Sequence, residues 1–530
     1  MSPRMPYQCM VQRGNLLIAA RGSSIDSFRD GSLLSTWKCP SIQAAGSTRP
    51  SLEVTTELVT QHYETSSVEI YTDSAPPAKK RKLSTSGPVE ANSVTKEGKK
   101  KQNSRSDAVQ SGLEAPAVIA LAITKDGRHV IAVTGEDKSI RVFENVQEDG
   151  VHRLKQLSQR AMPKRPCALA VTNDSSTIIT ADKFGDVYSL PLILLEISGT
   201  PKSATHTPEP AAKSFTPAAN ELTIHSQRNR KALENQRRQT NKTAEKSEPV
   251  FEHKLLLGHV SMLTDIALVA LGVRNYIITA DRDEHIRISR GIPQTHVIEG
   301  FCLGHSEFVS RICVPPDRPH LLVSGGGDDE LFVWEWECGN LVSKADLKGY
   351  VSAVMQEFDR TEESDIPVES SKIAVSGIYC TQQALNDSFQ TIVVVTCESI
   401  PAAFAFVLTA ENRLEYLQTL KLPGNALAIV FGTSLKEGEF DVSNRLVVSI
   451  DTTHKLGSRT EEREDASQNL NPLQSYIFQN GKIVQDGTFQ LAIAKQDEGE
   501  ANGSGASGRL TNLLYSLENL RKREGDMREE

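Results

Sequence analysis

The chain has 530 residues, of which 38% are hydrophobic and only 5% aromatic. That composition favours one sizeable core with long polar insertions over the three or four domains that the length alone would allow. The 59 basic and 67 acidic residues leave a net charge of −8, which excludes a basic, nucleic-acid-binding field spread over the whole surface.

Seven segments predict the blades of an all-β fold. In each segment, short strands of alternating apolar and polar residues are joined by tight turns, and this unit repeats along the chain. The repeat is typical of a WD-repeat β-propeller, in which four-stranded blades surround a channel. We expect a seven-bladed propeller over residues 1–495, with blades at approximately 7–37, 113–144, 166–192, 255–291, 301–338, 345–408 and 414–493.

Polar stretches interrupt the strand pattern, and their composition predicts flexible segments. They are the Ser/Thr-rich insertion 40–112, the insertion 195–250, the polar loop 454–475 and the Gly/Ser-rich stretch 496–509. In the first insertion, Lys79, Lys80, Arg81 and Lys82 have the form of a nuclear import signal, which predicts a nuclear protein. The basic run 225–246 contains no aromatic residue for base stacking, so a weak phosphate contact and an inert loop both stay open.

The C-terminal stretch 509–524 predicts an amphipathic helix. Its leucines recur at helical spacing and therefore share one face, which we expect to dock on the side of the propeller. These residues are Leu510, Leu513, Leu514, Leu517 and Leu520.

Two blades carry a set of four residue types that hydrogen-bond in series in WD repeats, here called the tetrad. It consists of a histidine after glycine, a serine or threonine on the second strand, an aspartate in the tight turn and a tryptophan on the third strand. The complete tetrad is His305, Ser324, Asp328 and Trp334; the incomplete one is His259, Thr279 and Asp283, with Ser289 in place of tryptophan. We interpret both histidines as braces of the blade.

No motif of a catalytic, cofactor or metal site is recognisable. The sequence lacks G-x-G-x-x-G after a strand, G-x-S-x-G, H-E-x-x-H and C-x-x-C. We therefore predict a non-catalytic scaffold without a cofactor or metal of its own. The eight cysteines are expected to be buried free thiols in a reducing compartment. Neither a signal peptide nor a membrane helix is expected.

Arg287 stands just before Ser289 in the incomplete blade. Strand alternation places Ile286 and Ile288 on one face and Arg287 on the other, so the arginine is expected to project from the blade. A guanidinium in such a place suits a carboxylate on a partner surface. Arg141 occupies the matching position in the second blade, so an ordinary structural role also stays open.

The stretch TADRDEHIRIS (279–289), followed by IEGFCLGHSEFVSRI (298–312) and LLVSGGGDDELFVWEWECG (321–339), resembles the WD-repeat non-catalytic subunit of the eukaryotic, fungal-type tRNA (guanine-N7)-methyltransferase complex. The resemblance implies a scaffold that binds and stabilises a separate Rossmann-type methyltransferase. S-adenosylmethionine is then expected on that subunit only, with the heterodimer forming 7-methylguanosine in the variable loop of tRNA.

The same resemblance implies roles for individual residues. It assigns Arg287 and, less directly, Arg282 and His285 to the surface that faces the catalytic subunit, and it makes Asp283 structural. It also implies that tRNA is bound mainly through the complex.

A function of a different class stays open from the sequence. The chain is also compatible with a general nuclear WD-repeat adaptor, such as a ubiquitin-ligase substrate receptor, a histone-binding propeller or a ribosome-assembly scaffold. The two hypotheses differ in whether a separate methyltransferase co-purifies with the chain in equal amount.

Overall fold

The computed structural model shows that the chain folds as a β-propeller. In the described residues, 30 strands form seven four-stranded antiparallel sheets and one two-stranded hairpin. The seven sheets are the blades, which confirms the predicted fold class. The described residues are 5–41, 115–148, 151–194, 251–359, 372–385, 388–432, 434–436, 439–441, 445–463, 470–487, 491 and 506–522.

The first four blades follow one another along the chain. Blade 1 contains β1 (Cys9–Arg13), β2 (Leu16–Arg21), β3 (Ser24–Arg29) and β4 (Ser32–Lys38). Blade 2 contains β5 (Val118–Ile123), β6 (His129–Thr134), β7 (Ser139–Glu148) and β8 (Val151–Ala161). Blade 3 contains β9 (Pro166–Val171), β10 (Thr177–Asp182), β11 (Asp186–Pro191) and β12 (Lys254–Gly258). Blade 4 contains β13 (Leu263–Leu271), β14 (Arg274–Asp281), β15 (Ile286–Arg290) and β16 (Ile298–Cys302).

The remaining blades include the helices and the short hairpin. Blade 5 contains β17 (Val309–Cys313), β18 (Leu321–Gly326), β19 (Glu330–Glu335) and β20 (Asn340–Asp346), and helix α1 (Lys348–Asp359) follows it. Blade 6 contains β21 (Val375–Leu385), β22 (Ser388–Cys397), β23 (Ala402–Leu408) and β24 (Leu414–Lys421). Blade 7 contains β25 (Asn425–Phe431), β28 (Arg445–Asp451), β29 (Leu473–Gln479) and β30 (Lys482–Gln485), with the hairpin β26 (Ser434–Lys436) and β27 (Glu439–Asp441) inserted. Helix α2 (Ala506–Leu514) and the 3₁₀ helix η1 (Glu518–Leu520) come last.

The blade boundaries differ from the predicted ones in a consistent way. Strand β12 lies beyond the insertion 195–250 and pairs with β11, so it completes blade 3 instead of opening blade 4. Strand β16 likewise pairs with β15 and completes blade 4. The glycine–histidine pair marks the link after an outer strand. The sequence repeat therefore begins one strand earlier than the structural blade.

The core consists of apolar clusters between neighbouring blades, and one of them joins blade 1 to blade 7. In this cluster Tyr7 and Phe28 pack with Val430 and Val447. The Ser449 hydroxyl also donates to the Tyr7 carbonyl at 2.6 Å. Within the described parts of the chain, no sheet combines strands from both ends. Among the residues that the structure describes, side-chain packing therefore closes the ring without a shared strand.

The C-terminal segment, residues 506–522, lies across one face of the propeller at the mouth of the central channel. Its leucines line a cavity of about 210 Å³ together with residues from the innermost strands or flanking links of all seven blades. The Glu398 carboxylate accepts the backbone N–H groups of Ser516, Leu517 and Glu518 at 2.5–3.1 Å. Helix α2 ends at Leu514, well before the predicted end at 524. The segment thus covers the channel mouth and not the side of the propeller.

Part of the polar loop predicted at 454–475 holds this segment in place. His454 Nδ1 lies 2.6 Å from Asp451 Oδ2, and the Tyr515 hydroxyl donates to the same carboxylate oxygen. The Asn425 amide donates to the carbonyls of Lys455 and Ser458 at 3.2 and 2.9 Å. Residues 454–463 are therefore ordered by contacts with blade 7 and the C-terminal segment.

Several predictions fall outside the described residues. They concern the insertion 195–250 with its basic run 225–246, the insertion 40–112 beyond residue 41, and the import residues Lys79, Lys80, Arg81 and Lys82. The stretch 496–509 is described only from residue 506, where α2 begins.

The described residues also bear on the expected thiols, metal sites and membrane helices. All eight cysteines are free; Cys39, Cys302 and Cys397 are buried, whereas Cys338 is exposed. Within the described part of the chain, no group of His, Cys, Asp and Glu side chains is arranged to hold a metal ion. None of the described helices combines the length and hydrophobicity needed to cross a membrane.

Candidate partner-binding surface

The tetrad of blade 5 is a buried chain of hydrogen bonds. His305 contacts Asp328 Oδ2 through Nδ1 and Ser324 Oγ through Nε2, both at 2.7 Å. Trp334 Nε1 donates to the same serine oxygen at 2.8 Å. Burial alone would raise the pKa of Asp328, but hydrogen bonds from His305 and Ser306 bring it below its usual value. These four side chains are satisfied inside the blade, so they brace it.

Blade 4 keeps only part of this arrangement. His259 Nε2 lies 3.1 Å from Thr279 Oγ1, and Ser289 lies opposite Ile277 as Trp334 lies opposite Leu322 in blade 5. The carboxylate of Asp283, however, faces the Lys522 ammonium at 3.5 Å and is not bonded to His259.

Asp281 explains why Asp283 does not complete the tetrad. Its buried carboxylate accepts the backbone N–H groups of Asp283 and His285 at 2.9 and 3.0 Å. Burial raises the pKa of Asp281, although the hydrogen bond from His285 opposes that shift. This bonding holds the turn with the Asp283 side chain outward. The structure thus corrects the tetrad role predicted for Asp283, and local spacing had not singled out Asp281.

The turn 281–285 is in contact with the C-terminal segment. Arg282 Nε donates to the Leu520 carbonyl at 2.7 Å, and Lys522 Nζ lies 3.1 Å from Glu284 Oε1. His285 remains half exposed. Of the two residues of this turn assigned to a partner, Arg282 therefore binds the chain's own C-terminal segment, while His285 faces solvent.

Arg287 is anchored on β15, the third strand of blade 4. It lies opposite Thr279 on one side and Phe301 on the other. Its Nε donates to Ser289 Oγ at 3.1 Å, and its Nη1 donates to the Gly258 carbonyl at 2.9 Å. The small serine leaves room for the guanidinium beside it. The side chain is therefore half buried between β15 and the end of β12 and does not project freely as predicted.

Electrostatics around Arg287 are unbalanced. Partial burial lowers the pKa of Arg287. Burial and, after it, the positive charge of Arg287 lower the pKa of His259 to about 4. The matching Arg141 of blade 2 is buried and forms an ion pair with Asp137 at 2.7 Å. In the described part of the chain Arg287 has no carboxylate partner, so the structural role of Arg141 does not extend to it.

Exposed apolar side chains occur on the two segments next to Arg287, which are β16, whose Phe301 lies opposite it, and β12, whose Gly258 carbonyl it binds. Phe301 and Leu303 belong to β16 and the link after it, and Leu255 and Val260 belong to β12 and the link after that strand; their exposed fractions range from 43% to 107%. We call these four residues and Arg287 the Arg287 surface. A guanidinium among exposed apolar groups is typical of the centre of a protein interface. The alternation of apolar and polar residues did not identify these four side chains as exposed. An outer strand is paired with another strand on one side only, so no second strand covers the apolar side chains on it or on the link after it.

The WD40-domain model of the tRNA methyltransferase TRM82 matches residues 17–476 of the chain. The chain belongs to the TRM82 family. The tRNA (guanine-N(7)-)-methyltransferase non-catalytic subunit trm82 of Sclerotinia sclerotiorum is 49% identical over 99% of both chains. The TRM82 subunit of Coccidioides immitis is 36% identical over 97% of this chain and 96% of its own. That of Phaeosphaeria nodorum is 38% identical over 98% and 99%.

These TRM82 proteins are all named as non-catalytic subunits. Their names confirm the family predicted from the stretches at 279–289, 298–312 and 321–339. They also confirm the expectation of a chain without a catalytic role.

Proposed function

We propose that the chain binds and stabilises a separate Rossmann-type methyltransferase, and that the heterodimer forms 7-methylguanosine in the variable loop of tRNA. Membership of the TRM82 family supports a place in the tRNA (guanine-N7)-methyltransferase complex. In this proposal S-adenosylmethionine is held by the catalytic subunit only, and tRNA binds mainly through the complex. The Arg287 surface is the observation that carries the proposal.

The Arg287 surface is suited to an acidic side chain on the partner. Arg287 has a charge that no described carboxylate neutralises, and its fork is already oriented by Ser289 and Gly258. A preorganised guanidinium loses little conformational entropy when it binds a carboxylate. Burial of the surrounding apolar side chains would remove water from the pair and strengthen it.

The neighbouring turn has two different roles in this proposal. His285 is exposed and available at the edge of the interface. Arg282 acts through the chain itself, since its bond to the Leu520 carbonyl holds the C-terminal segment beside the turn. A partner that reaches this turn therefore meets residues 520–522 as well.

The Arg287→Glu substitution tests the assembly surface. We expect the variant to remain folded and to lose at least about tenfold in affinity for the co-expressed methyltransferase, because a buried like-charge contact replaces the pair. Size-exclusion chromatography of the co-expressed pair measures assembly, and thermal melting shows whether the variant is folded. Arg274→Glu, at the exposed start of β14 in the same blade, is the matched control. If Arg287→Glu unfolds the chain, Arg287→Met removes the charge with less strain; wild-type affinity in a folded variant contradicts the proposal.

The activity itself is tested with separated subunits. We expect N7-guanine methylation of tRNA only when the methyltransferase and this chain are combined, because the rigid propeller stabilises the active arrangement of its partner. Full activity of the methyltransferase alone, unchanged when this chain is added, would leave a general adaptor as the remaining function.

We also propose that the chain is nuclear, on the basis of Lys79, Lys80, Arg81 and Lys82. A fluorescent fusion in which these four residues are replaced by alanine should lose nuclear accumulation. Unchanged accumulation would remove the basis for this assignment.

A further inference from the structure

An exposed aromatic ring lies beside three cationic side chains near the turn between β10 and β11. Phe184 is 61% exposed, and Lys164 Nζ lies 3.7 Å from the centroid of its ring. Arg165 is the next residue in the link between blades 2 and 3, and its carbonyl accepts the backbone N–H of Lys183 at 3.2 Å. We call Lys164, Arg165, Lys183 and Phe184 the basic-aromatic patch.

The basic-aromatic patch carries three cations, of which Lys164 interacts electrostatically with the nearby Asp182. All three cationic residues are exposed. Partial desolvation and, after it, the adjacent Arg165 lower the pKa of Lys183, so two like charges lie close together. In the described residues none of the three forms an ion pair. The nearby Asp182 is buried, and its Oδ1 accepts the backbone N–H groups of Phe184 and Asp186 at 2.7 and 3.1 Å. A bound anion would relieve the repulsion between the cations.

The equivalent turn of blade 4 has the opposite character. There Asp283 and Glu284 face Lys522 of the C-terminal segment. The segment also contacts Arg282 of the same turn and residues of blades 5 and 6 or the links after them, for example Gly327 and Glu398. On this face of the propeller, one turn is therefore acidic and paired with the chain's own Lys522, whereas the turn of blade 3 is basic; its Arg165 and Lys183 also line the cavity at the channel mouth, and Lys164 and Phe184 lie outside that cavity.

The basic-aromatic patch borders the Arg287 surface. Gly185 has a φ of +97°, and a Cβ at this residue would lie 2.3 Å from the His259 carbonyl oxygen. The His259 N–H donates to the Gly185 carbonyl at 2.8 Å. His259 is flanked by Gly258, which binds Arg287, and by Val260. Only glycine permits this close approach, and through it the two surfaces are continuous.

We propose that the basic-aromatic patch contacts the sugar-phosphate backbone of tRNA in the assembled complex. This inference rests on the proposed function, because a substrate held by the neighbouring catalytic subunit would extend over the patch. Lysine and arginine next to phosphates release condensed counterions, and an exposed phenyl ring packs against a base or sugar. Phosphate contacts position the substrate without reading its sequence. The patch therefore adds affinity and leaves the choice of nucleotide to the catalytic subunit.

The test combines three charge reversals, Lys164→Glu, Arg165→Glu and Lys183→Glu, in the chain co-expressed with its methyltransferase. The matched control is Lys125→Glu, Arg128→Glu and Arg274→Glu, three exposed residues in or beside turns at the opposite end of the strands. Assembly is measured first, and then kcat, KM for tRNA and the salt dependence of tRNA binding. We expect unchanged assembly, kcat within about twofold, a KM raised about tenfold and a log Kd–log salt slope reduced by about two. The control should match the parent in all four measurements.

Each other outcome is decisive. An unchanged KM in an intact complex overturns the patch and leaves the proposed function standing. Loss of assembly overturns it as well, because the patch then contacts an acidic protein surface. A parent complex that forms but does not methylate tRNA refutes the proposed function before any variant is compared. If the triple variant does not fold, the three glutamine substitutions replace it, and a KM that does not rise at least about threefold overturns the inference.

Discussion

Blades 4 and 5 each follow a glycine–histidine link and each have four strands, but their polar side chains are bonded differently. In blade 5 the hydroxyl of Ser324 joins His305 and Trp334 in a closed, buried chain. In blade 4 that chain stops at Thr279, and Arg287 on the third strand donates to the Gly258 carbonyl at the end of β12. The difference shows that one repeat has its polar groups satisfied internally, while its neighbour directs them to the surface.

The contacts of the C-terminal segment also differ between blades 4 and 5. In blade 5 Arg521 donates to the backbone carbonyl of Gly327 at 3.2 Å and pairs with Glu307 at 2.9 Å, while Asp328 stays inside. In blade 4 the turn carboxylates of Asp283 and Glu284 themselves face Lys522. The aspartate at the same repeat position therefore braces the blade in blade 5, as Asp328, and holds the C-terminal segment in blade 4, as Asp283.

The largest difference between the two blades is expected at the tryptophan position. Trp334→Ala should lower the free energy of unfolding by about 3–5 kcal/mol, because it leaves a cavity in a fully buried site. Ser289→Ala in blade 4 should cost about 1 kcal/mol or less, since it removes one hydrogen bond from Arg287. Urea-induced unfolding of both variants measures the difference. Equal losses would show that the two blades are braced alike.

A smaller difference is expected at the turn aspartates. Asp328→Asn should cost about 2 kcal/mol, because it weakens charge-assisted hydrogen bonds from buried groups. Asp283→Asn should change the stability by less than about 0.5 kcal/mol, since its ion pair with Lys522 is partly exposed. Thermal melting of the paired variants measures both effects. A large loss of stability in Asp283→Asn would show that Asp283 does brace blade 4 as a tetrad residue.

The smallest expected effect is a pH dependence of blade 4. Because the pKa of His259 falls to about 4 in the folded chain, the unfolded chain binds more protons between pH 6.5 and pH 4. Stability is therefore full above pH 6.5 and decreases through this window, by about 0.7 kcal/mol between pH 7 and pH 6.

His259→Gln isolates this contribution from the other titrating groups. Urea-induced unfolding of the parent and the variant at pH 7 and pH 6 should show a stability difference that narrows at the lower pH. Parallel pH profiles would mean that His259 is not the group that titrates.

Local pattern predicted the residues that act within one strand or turn. The repeat of short strands, the tetrad residues of blade 5 and the position of Arg287 on the strand face opposite Ile286 and Ile288 follow from alternation and spacing over fewer than forty residues. The resemblance at 279–289 and in the two following stretches was sufficient to indicate the family. These features were accessible because a strand's own sequence determines which side chains share a face.

Other features depended on neighbours that are distant in sequence. The Asp283 side chain points outward because the Asp281 carboxylate accepts backbone N–H groups of the turn. Strand β12 belongs to blade 3 because it pairs with β11, although the insertion 195–250 separates the two strands in sequence. The C-terminal stretch was predicted as a helix on the side of the propeller. It lies over the channel mouth instead, because Glu398 and Asp451 accept hydrogen bonds from it there.

The sequence by itself therefore determined the repeat, the propeller and the family. Only the tertiary structure decided which side of each blade is exposed to solvent. It also placed the basic-aromatic patch beside the Arg287 surface. The physical reason is that periodicity specifies a face, whereas exposure depends on what other parts of the chain cover that face.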